Sequence, residues 1–183
     1  MKNFLKIAEG IDVTPLNVAL ALHPDLWNSN DLRTTYPNSP HDEADDIWLR
    51  FNPIDTSTTN IQIMDAIECI NYAPFIILPQ ARPLVFGLMA RVEGERLGRC
   101  LITKLKPGAR IKPHCDEGSP ATYYERFHIV LKSEPGCVFR TGDEQVQMKT
   151  GEVWWFDNTK EHEVINNSAE DRTHLIVDIK VSK

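Results

Sequence analysis

Three side chains that commonly bind metal ions stand out in this sequence. His114 and Asp116 are one residue apart in the segment IKPHCDEG, and His162 lies in the later segment FDNTKEHEV. Two histidines and one carboxylate form the facial ligand set of non-haem Fe(II) sites, which leaves three positions of an octahedral ion open. The alternative for an isolated H-x-D pair is a solvated strand end, so the iron hypothesis requires that His162 reach the same place.

An arginine that is expected to be buried is the second chemical feature. Arg172 opens the apolar segment RTHLIVDI, in which alternation puts it on the same face as His174 and Asp178. A guanidinium inside a β-barrel is unfavourable unless an anion accepts its hydrogen bonds. Arg172 therefore predicts either a bound carboxylate or an internal salt bridge to a residue such as Asp178 or Glu152.

Arg126 and His128 repeat this spacing in YERFHIVL, one strand after the H-x-D pair. Both are expected to face the interior, either as functional residues or as a polar strand face at the mouth of a barrel. In GEVWWFDN, Trp154 and Phe156 share a face and are predicted to pack in the core. Asp157 is predicted to cap the turn that follows.

The elements that must position these residues lie in the second half of the chain. From Gly98 onward, short apolar or alternating segments are separated by Gly, Pro, Asn and Asp. They predict about seven or eight strands, a pattern typical of an antiparallel barrel or jelly roll. In a jelly roll a late strand returns beside an early one, which would bring His162 back to His114.

The first half of the chain predicts mainly helices. Thr14 as N-cap and Pro15 at the first helical position begin a helix that Pro24 ends. Two further amphipathic helices are predicted in IQIMDAIECI and ARPLVFGLMARVEG, and IWLRF predicts a strand. Residues 28–46 predict a long surface loop in which His41 is exposed to solvent.

Length and composition fit a single domain over residues 1–183, because 42% of the chain is hydrophobic. We expect a mainly helical N-terminal elaboration at 1–97 and a catalytic jelly-roll core at 98–183. The net charge of −6 disfavours nucleic acid and anionic membranes as partners. The segment MKNFLKIAEG lacks a signal-peptide pattern and the four cysteines are scattered, so we expect a cytoplasmic protein without a membrane span.

Taken in chain order, the motifs form a specific set. H-x-D is followed by R-x-H with two apolar residues after it, by G-E-V-W-x-F-D, by H-E-V, and by an arginine ten positions after the last histidine. This set resembles the aspartyl/asparaginyl β-hydroxylase family and its bacterial relatives, the cis-proline hydroxylases. The resemblance covers about residues 98–181, just under half of the chain.

The resemblance implies a mainly β fold, a double-stranded β-helix of the jelly-roll, cupin-like type with N-terminal and flanking α-helices. It implies an Fe(II) site whose ligands are His114, Asp116 and His162. It also implies that Arg172 holds the distal carboxylate of the co-substrate 2-oxoglutarate, with help from His128. Arg126 matches the family position that is expected to meet an anionic group of the substrate.

Asp116 departs from the β-hydroxylases that act on EGF-like domains, which have glycine at this position. The complete triad is closer to that of the proline hydroxylases, so an EGF-like substrate is not implied. The resemblance indicates a dioxygenase that uses O₂ to hydroxylate a free amino acid or a side chain within a peptide. Two alternatives stay open: another metal-dependent cupin enzyme, which would not need Arg172, and a non-catalytic ligand-binding cupin module.

Overall fold

The computed structural model describes residues 2–54, 57 and 59–182, and its framework is a pair of antiparallel β-sheets. The strands, in chain order, are β1 (Phe4–Ala8), β2 (Ala44–Phe51), β3 (Ile70–Asn71), β4 (Gly94–Leu105), β5 (Arg110–His114), β6 (Glu125–Lys132), β7 (Cys137–Thr141), β8 (Glu144–Val146), β9 (Val153–Phe156), β10 (His162–Asn166) and β11 (Arg172–Val181).

The two sheets form the double-stranded β-helix. The larger sheet has the strand order β1-β9-β6-β11-β4-β2-β3, and the smaller sheet has the order β5-β10-β7-β8. From β4 to β11 the chain passes repeatedly between the sheets, so strands that are distant in sequence become neighbours. The predicted mainly β jelly-roll fold with flanking helices is confirmed.

Helices and helical turns accompany the larger sheet. They are α1 (Thr14–Leu22), a 3₁₀ turn (Pro24–Leu26), α2 (Leu32–Thr35), α3 (Asn60–Asp65), α4 (Pro74–Ile77), α5 (Ala81–Arg91) and α6 (Gly118–Tyr123). The two longest helices each bury one apolar stripe at helical spacing. These buried residues are Leu16, Ala19 and Leu20 in α1, and Ala81, Val85 and Leu88 in α5.

The two largest apolar cores lie on opposite faces of the larger sheet. The first lies between the sheet and helices α1, α4 and α5, and Leu175, Val177 and Ile179 of β11 point into it. The second lies inside the roll, where Phe156 of the larger sheet meets Phe139 of the smaller one. Each fully buried large apolar side chain contributes about 1.5–3 kcal/mol to folding. The opposite face of β11 carries Arg172, His174 and Asp178, together with Ile176, which packs with Trp48, Phe51 and Leu101 in a smaller third core.

Several predictions for individual elements are confirmed by the structure. The strand IWLRF lies within β2, and the segment ARPLVFGLMARVEG contains α5. Trp154 and Phe156 pack inside the roll, while Trp155 packs against the first core. Asp157 caps its turn, since its carboxylate accepts hydrogen bonds from the backbone N–H and the hydroxyl of Thr159.

Other predictions need correction. Val13, not Thr14, is the N-cap residue of α1, and it makes no side-chain capping bond. Of IQIMDAIECI, residues up to Asp65 are helical and Ile70 begins a strand. The first half also contributes β1 to the larger sheet, a strand that the pattern did not predict.

Residues 28–46 are not simply a surface loop. They contain α2 and the start of β2, and they bury both Arg33 and His41. Arg33 donates a hydrogen bond of 2.6 Å to Asp46, which is itself fully buried. The prediction that His41 is exposed was therefore wrong, because a tertiary ion pair pulls this polar segment onto the sheet.

In the described part of the chain, no helix has the length and apolar character needed to cross a membrane. The four cysteines Cys69, Cys100, Cys115 and Cys137 are free thiols, and three of them are buried. Burial raises the pKa of Cys69 to about 11, so this thiol stays protonated near neutral pH.

Candidate metal centre and adjoining cavity

The ligand atoms of His114, Asp116 and His162 lie within 4.8 Å of one another. Pairing of β5 with β10 causes this convergence, since His114 and His162 are direct partners in the antiparallel register. Their ring centroids are 4.3 Å apart. Residues separated by 48 positions in sequence thus face a common point, as the jelly-roll argument predicted.

Both imidazoles are oriented for metal binding through Nε2. Nδ1 of His114 lies 2.8 Å from the carbonyl oxygen of Lys112, and Nδ1 of His162 lies 2.9 Å from that of Lys160. Because a carbonyl can only accept, Nδ1 carries the proton in each ring and Nε2 keeps a free lone pair. Nε2 of His114 is buried and has no hydrogen-bond partner. This donor set fits a divalent transition metal.

The protonation states also suit metal binding. Burial lowers the pKa of His114 to about 4 and lowers that of His162 as well, so both rings are neutral near pH 7. Burial alone would raise the pKa of Asp116, but Arg126, the two histidines and the hydrogen bond from Asn158 together outweigh it, and the pKa falls to about 2. Two neutral imidazoles and one carboxylate are therefore available together.

Asp116 reaches the site from a loop and not from a strand face. Strand β5 ends at His114, so the alternation that predicted a shared face does not extend to Asp116. Its backbone N–H donates to the carbonyl of Asn158 at 3.1 Å, and its carboxylate accepts from the Asn158 amide at 3.1 Å. The turn before β10 thus fixes this carboxylate beside both histidines.

Arg126 links Asp116 to the larger sheet. Its Nη1 donates to Oδ2 of Asp116 at 2.6 Å, while Nε and Nη2 donate to the two oxygens of Asp178 at 2.8 and 2.9 Å. Burial acts to lower the pKa of Arg126, but these carboxylates raise it above its ordinary value. Oδ1 of Asp116 lies 3.7 Å from Nε2 of His114 and remains available to a metal. A substrate role for Arg126 stays a prediction, and its guanidinium already contacts two carboxylates of the protein.

Arg172 is in the opposite situation. It is buried, and it forms no ion pair with any residue in the described ranges. Its hydrogen-bond partner is Nδ1 of His174 at 3.2 Å, and its guanidinium lies 5.9 Å from the centroid of the Phe139 ring. Burial lowers its pKa to about 10. The alternative of an internal salt bridge fails, because Asp178 pairs with Arg126 and Glu152 pairs with Lys6.

Aromatic and imidazole rings lie between Arg172 and the candidate metal ligands. His128 approaches His174 with the two Nδ1 atoms 3.1 Å apart, and both rings are buried. Burial is the main cause that lowers the pKa of each well below its usual range, and Arg172 lowers both further. The Phe139 ring that faces Arg172 also lies 6.2 Å from the His162 ring. Inside the roll, Nε2 of His174 and the hydroxyl of Thr141 have no hydrogen-bond partner.

Two of the three candidate ligands, His114 and Asp116, also line a cavity of about 940 Å³. His114, Asp116 and Arg126 line it on one side, and Leu101 and Ile176 of the larger sheet form part of its wall. The volume lies at the upper end of the range for small-molecule sites. Arg172 is thus buried inside the roll, while His114 and Asp116 border the cavity.

Two cavity residues were missed by the sequence analysis. His41 packs edge-on against His114, with ring centroids 4.8 Å apart, and its Nδ1 has no hydrogen-bond partner. Arg99 is buried beside Asn52. The signal for Arg99 was its position immediately before the apolar run CLI of a predicted strand. No comparable signal marked His41, which lies in a polar segment without periodicity.

Comparisons with known proteins agree with this geometry. A family model described as Aspartyl/Asparaginyl beta-hydroxylase matches residues 77–181. An L-proline cis-4-hydroxylase of Rhizobium meliloti (strain 1021) is 30% identical over 81 residues, which are 44% of this chain and 29% of that protein. An L-proline cis-3-hydroxylase 1 of Streptomyces sp is 30% identical over 90 residues, which are 48% of this chain and 31% of that protein. The matched segments span less than a third of these relatives.

Solved structures show a similar fold over nearly the whole chain. A 2OG-Fe(II) oxygenase family oxidoreductase from Burkholderia pseudomallei has a TM-score of 0.53 at 16% identity, covering 98% of this chain and 84% of its own. A Pseudomonas putida prolyl-4-hydroxylase has a TM-score of 0.54 at 15% identity, covering 99% of this chain and 94% of its own. At these identities the likeness concerns the fold alone.

Proposed function

Because the chain belongs to the aspartyl/asparaginyl β-hydroxylase family, we propose that it is an Fe(II)- and 2-oxoglutarate-dependent hydroxylase. Its substrate is an amino acid, free or within a peptide. The relatives with 30% identity are named for L-proline, which makes proline and its derivatives the first compounds to assay.

The observation that carries the proposal is the buried guanidinium of Arg172, which has no carboxylate partner in the described ranges and faces the same ring as His162. A buried cation of this kind calls for a dianionic or carboxylate ligand. 2-Oxoglutarate has a distal carboxylate for Arg172 and a keto acid group for a metal. Another type of metal-dependent cupin would have no use for Arg172.

In this proposal each residue has a defined task. His114 and His162 would hold iron through Nε2, and Asp116 would do so through its carboxylate, of which Oδ2 is hydrogen-bonded to Arg126. Arg172 holds the distal carboxylate of 2-oxoglutarate, and His128 orients the His174 ring that contacts Arg172. Iron(II) supplies the chemistry that couples decarboxylation of 2-oxoglutarate by O₂ to substrate hydroxylation.

The apolar lining of the roll gives the co-substrate a water-poor environment. Phe139 and Phe156 lie between the smaller and larger sheets, 4.7 Å apart, and Phe156 lies 5.0 Å from the His162 ring. Electrostatic contacts are stronger in such surroundings than in water. The interior therefore favours binding of an anion at Arg172, and the cavity that His114 and Asp116 line leaves room for the substrate.

An anaerobic titration tests the proposal. Fe(II) and then 2-oxoglutarate are added to metal-free protein, and the visible spectrum is recorded. We expect a weak charge-transfer band that needs both additions. The H162A variant should lose the band, whereas H23A, which alters a histidine outside the triad, should retain it. Absence of the band in the wild-type protein would remove the proposal.

A further inference from the structure

We propose that Arg99 binds the carboxylate of the substrate. The substrate would then be held by the cavity wall as well as placed near the candidate metal ligands. This inference rests on the proposed function, since it concerns the second molecule that the enzyme would bind. Arg99 lies on β4 and lines the same cavity as His114 and Asp116.

The guanidinium of Arg99 is buried, and its contacts are to neutral groups. Nε and Nη2 donate to the side-chain oxygen of Asn52 at 2.9 and 2.5 Å, and Nη2 also donates to the carbonyl of Met64 at 2.5 Å. No ion pair of Arg99 occurs with a residue in the described ranges, and its Nη1 donates to none of them. Burial lowers its pKa, yet it stays a cation near neutral pH.

The other two arginines of the cavity wall, the buried Arg33 and the partly buried Arg126, are already paired with carboxylates. Arg33 donates to Asp46 at 2.6 Å, and Arg126 contacts both Asp116 and Asp178. Among the described cavity-lining arginines, Arg99 is thus the one that forms no direct ion pair, although Asp178 and Asp116 raise its pKa from a distance. A buried charge without a partner is unfavourable in the free protein, and an anionic ligand would relieve it.

The guanidinium is held rigidly before any ligand arrives. Asn52 is fully buried, and its amide donates to the carbonyls of Ala66 and Glu68 at 2.5 and 2.8 Å, which fixes the oxygen that Arg99 contacts. The Phe51 ring lies 4.6 Å from the guanidinium carbon. Such preorganisation reduces the entropy lost on binding.

The wall beside Arg99 gives further information about the substrate. Leu101 follows Arg99 on the same face of β4 and pairs in register with Ile176 of β11, and both side chains line the cavity. A ligand with its carboxylate on Arg99 would lay an apolar body over these side chains. The cavity of about 940 Å³ also accommodates more than a free amino acid, so an N-acylated amino acid or a peptide end fits the same description.

The direct test is an NMR titration of the arginine Nε–H signals. ¹⁵N-labelled protein is loaded with Zn(II) and 2-oxoglutarate, and the Arg99 signal is assigned with the R99K variant. The probes are L-proline and N-acetyl-L-proline, each with its matched carboxamide. We expect at least one carboxylate to shift the Arg99 signal saturably, while its carboxamide does not.

The Arg50 signal is the internal control. Arg50 lies on the neighbouring strand β2 and also bonds to neutral partners, the Leu97 carbonyl and Asn71, but it lies outside the cavity lining. Its signal should not move. If neither carboxylate shifts the Arg99 signal at about 10 mM, a concentration that would detect even millimolar affinity, the inference is overturned. Equal shifts from acid and amide would overturn it as well.

Turnover supplies the second readout. For the carboxylate that shifts Arg99, R99Q should raise KM at least about tenfold, the effect of losing one charge-assisted contact. Its kcat should change less, and R50Q should behave as wild type. The anaerobic Fe(II)–2-oxoglutarate band should be unchanged in R99Q, so loss of substrate binding is separated from failure of the proposed function. An unchanged KM in a variant that keeps this band would exclude Arg99 as the substrate contact.

Discussion

An arginine side chain lies near each end of strand β11, and the two arginines have opposite surroundings. At one end Asp178 binds Arg126, which also holds Asp116, so that one cation lies between two carboxylates. At the other end Arg172 faces an aromatic ring and two neutral histidines. Arg172 and Asp178 share a face of the strand and are roughly 20 Å apart along it.

In the proposed function, this difference separates Arg126, which has a structural role, from Arg172, which binds the co-substrate. Arg126 is neutralised by Asp116 and Asp178, so its removal would leave two carboxylates without a neighbouring cation. Arg172 forms no ion pair with any described residue, so its buried charge destabilises the ligand-free protein. Binding of an anionic ligand would remove this destabilisation. Proximity to the metal ligands alone would not have distinguished the two residues.

Stability measurements should give the largest contrast. Replacing Arg126 with Met is expected to cost about 3–5 kcal/mol of unfolding free energy, because Asp178 would remain buried without a cation and Asp116 would keep only its hydrogen bonds with Asn158. Replacing Arg172 with Met should leave stability unchanged or higher, since it removes an uncompensated charge. Urea unfolding of the metal-free proteins measures both, and equal losses in the two variants would abolish the distinction.

Co-substrate affinity should show the reverse contrast. R172Q is expected to weaken 2-oxoglutarate binding by about 1.5–3 kcal/mol, the loss of a charge-assisted contact. R172K, which keeps the charge but not the planar fork, should fall between R172Q and wild type. The anaerobic charge-transfer band gives the affinities. Should R172Q bind 2-oxoglutarate as tightly as wild type, Arg172 has a structural role.

The positive charge of Arg172 should have a smaller effect on how stability depends on pH. Burial lowers the pKa of His128 and His174, and Arg172 lowers both further. As pH falls below about 6.5, these histidines become protonated in the unfolded chain but stay neutral in the folded protein. The unfolded state therefore gains protons that the folded state does not, and the free energy of unfolding decreases. Without the Arg172 charge their folded pKa values rise towards the unfolded value, and the decrease becomes smaller.

Metal-free R172Q should therefore keep a larger fraction of its pH 7 stability at pH 5 than wild type keeps. R172K retains the positive charge and serves as the matched control. Thermal unfolding at the two pH values gives the comparison. Identical fractional losses in R172Q and R172K would show that the arginine charge does not act on these histidines.

Much of the roll could be predicted because its strands carry local signals. Segments such as RTHLIVDI alternate in hydrophobicity, and turn residues separate them, so strand positions and faces follow from the sequence. The polar segment 28–46 carries no such signal. Its buried residues are fixed by partners elsewhere, as with Arg33 on Asp46 and His41 on His114.

The candidate site also has features that the sequence predicts and features that depend on tertiary partners. Two histidines on paired strands were predictable from their spacing and from the return path of a jelly roll. The partners of Arg126 were not, because Asp178 lies opposite it only in the register of β6 with β11. Asp116 was predicted with the right neighbours for the wrong reason, since the Asn158 turn and Arg126 position it beyond the strand end.

The pairing of His114 with His162 has a mechanical consequence. Strand β5 forms the edge of the smaller sheet, and edge strands separate most readily from their neighbours. An ion bound by both rings would link β5 to β10 at His114, the last residue of β5. Loading the metal would then slow hydrogen exchange of the backbone amides in Arg110–His114, and a slip of one residue between the two strands would release the ion.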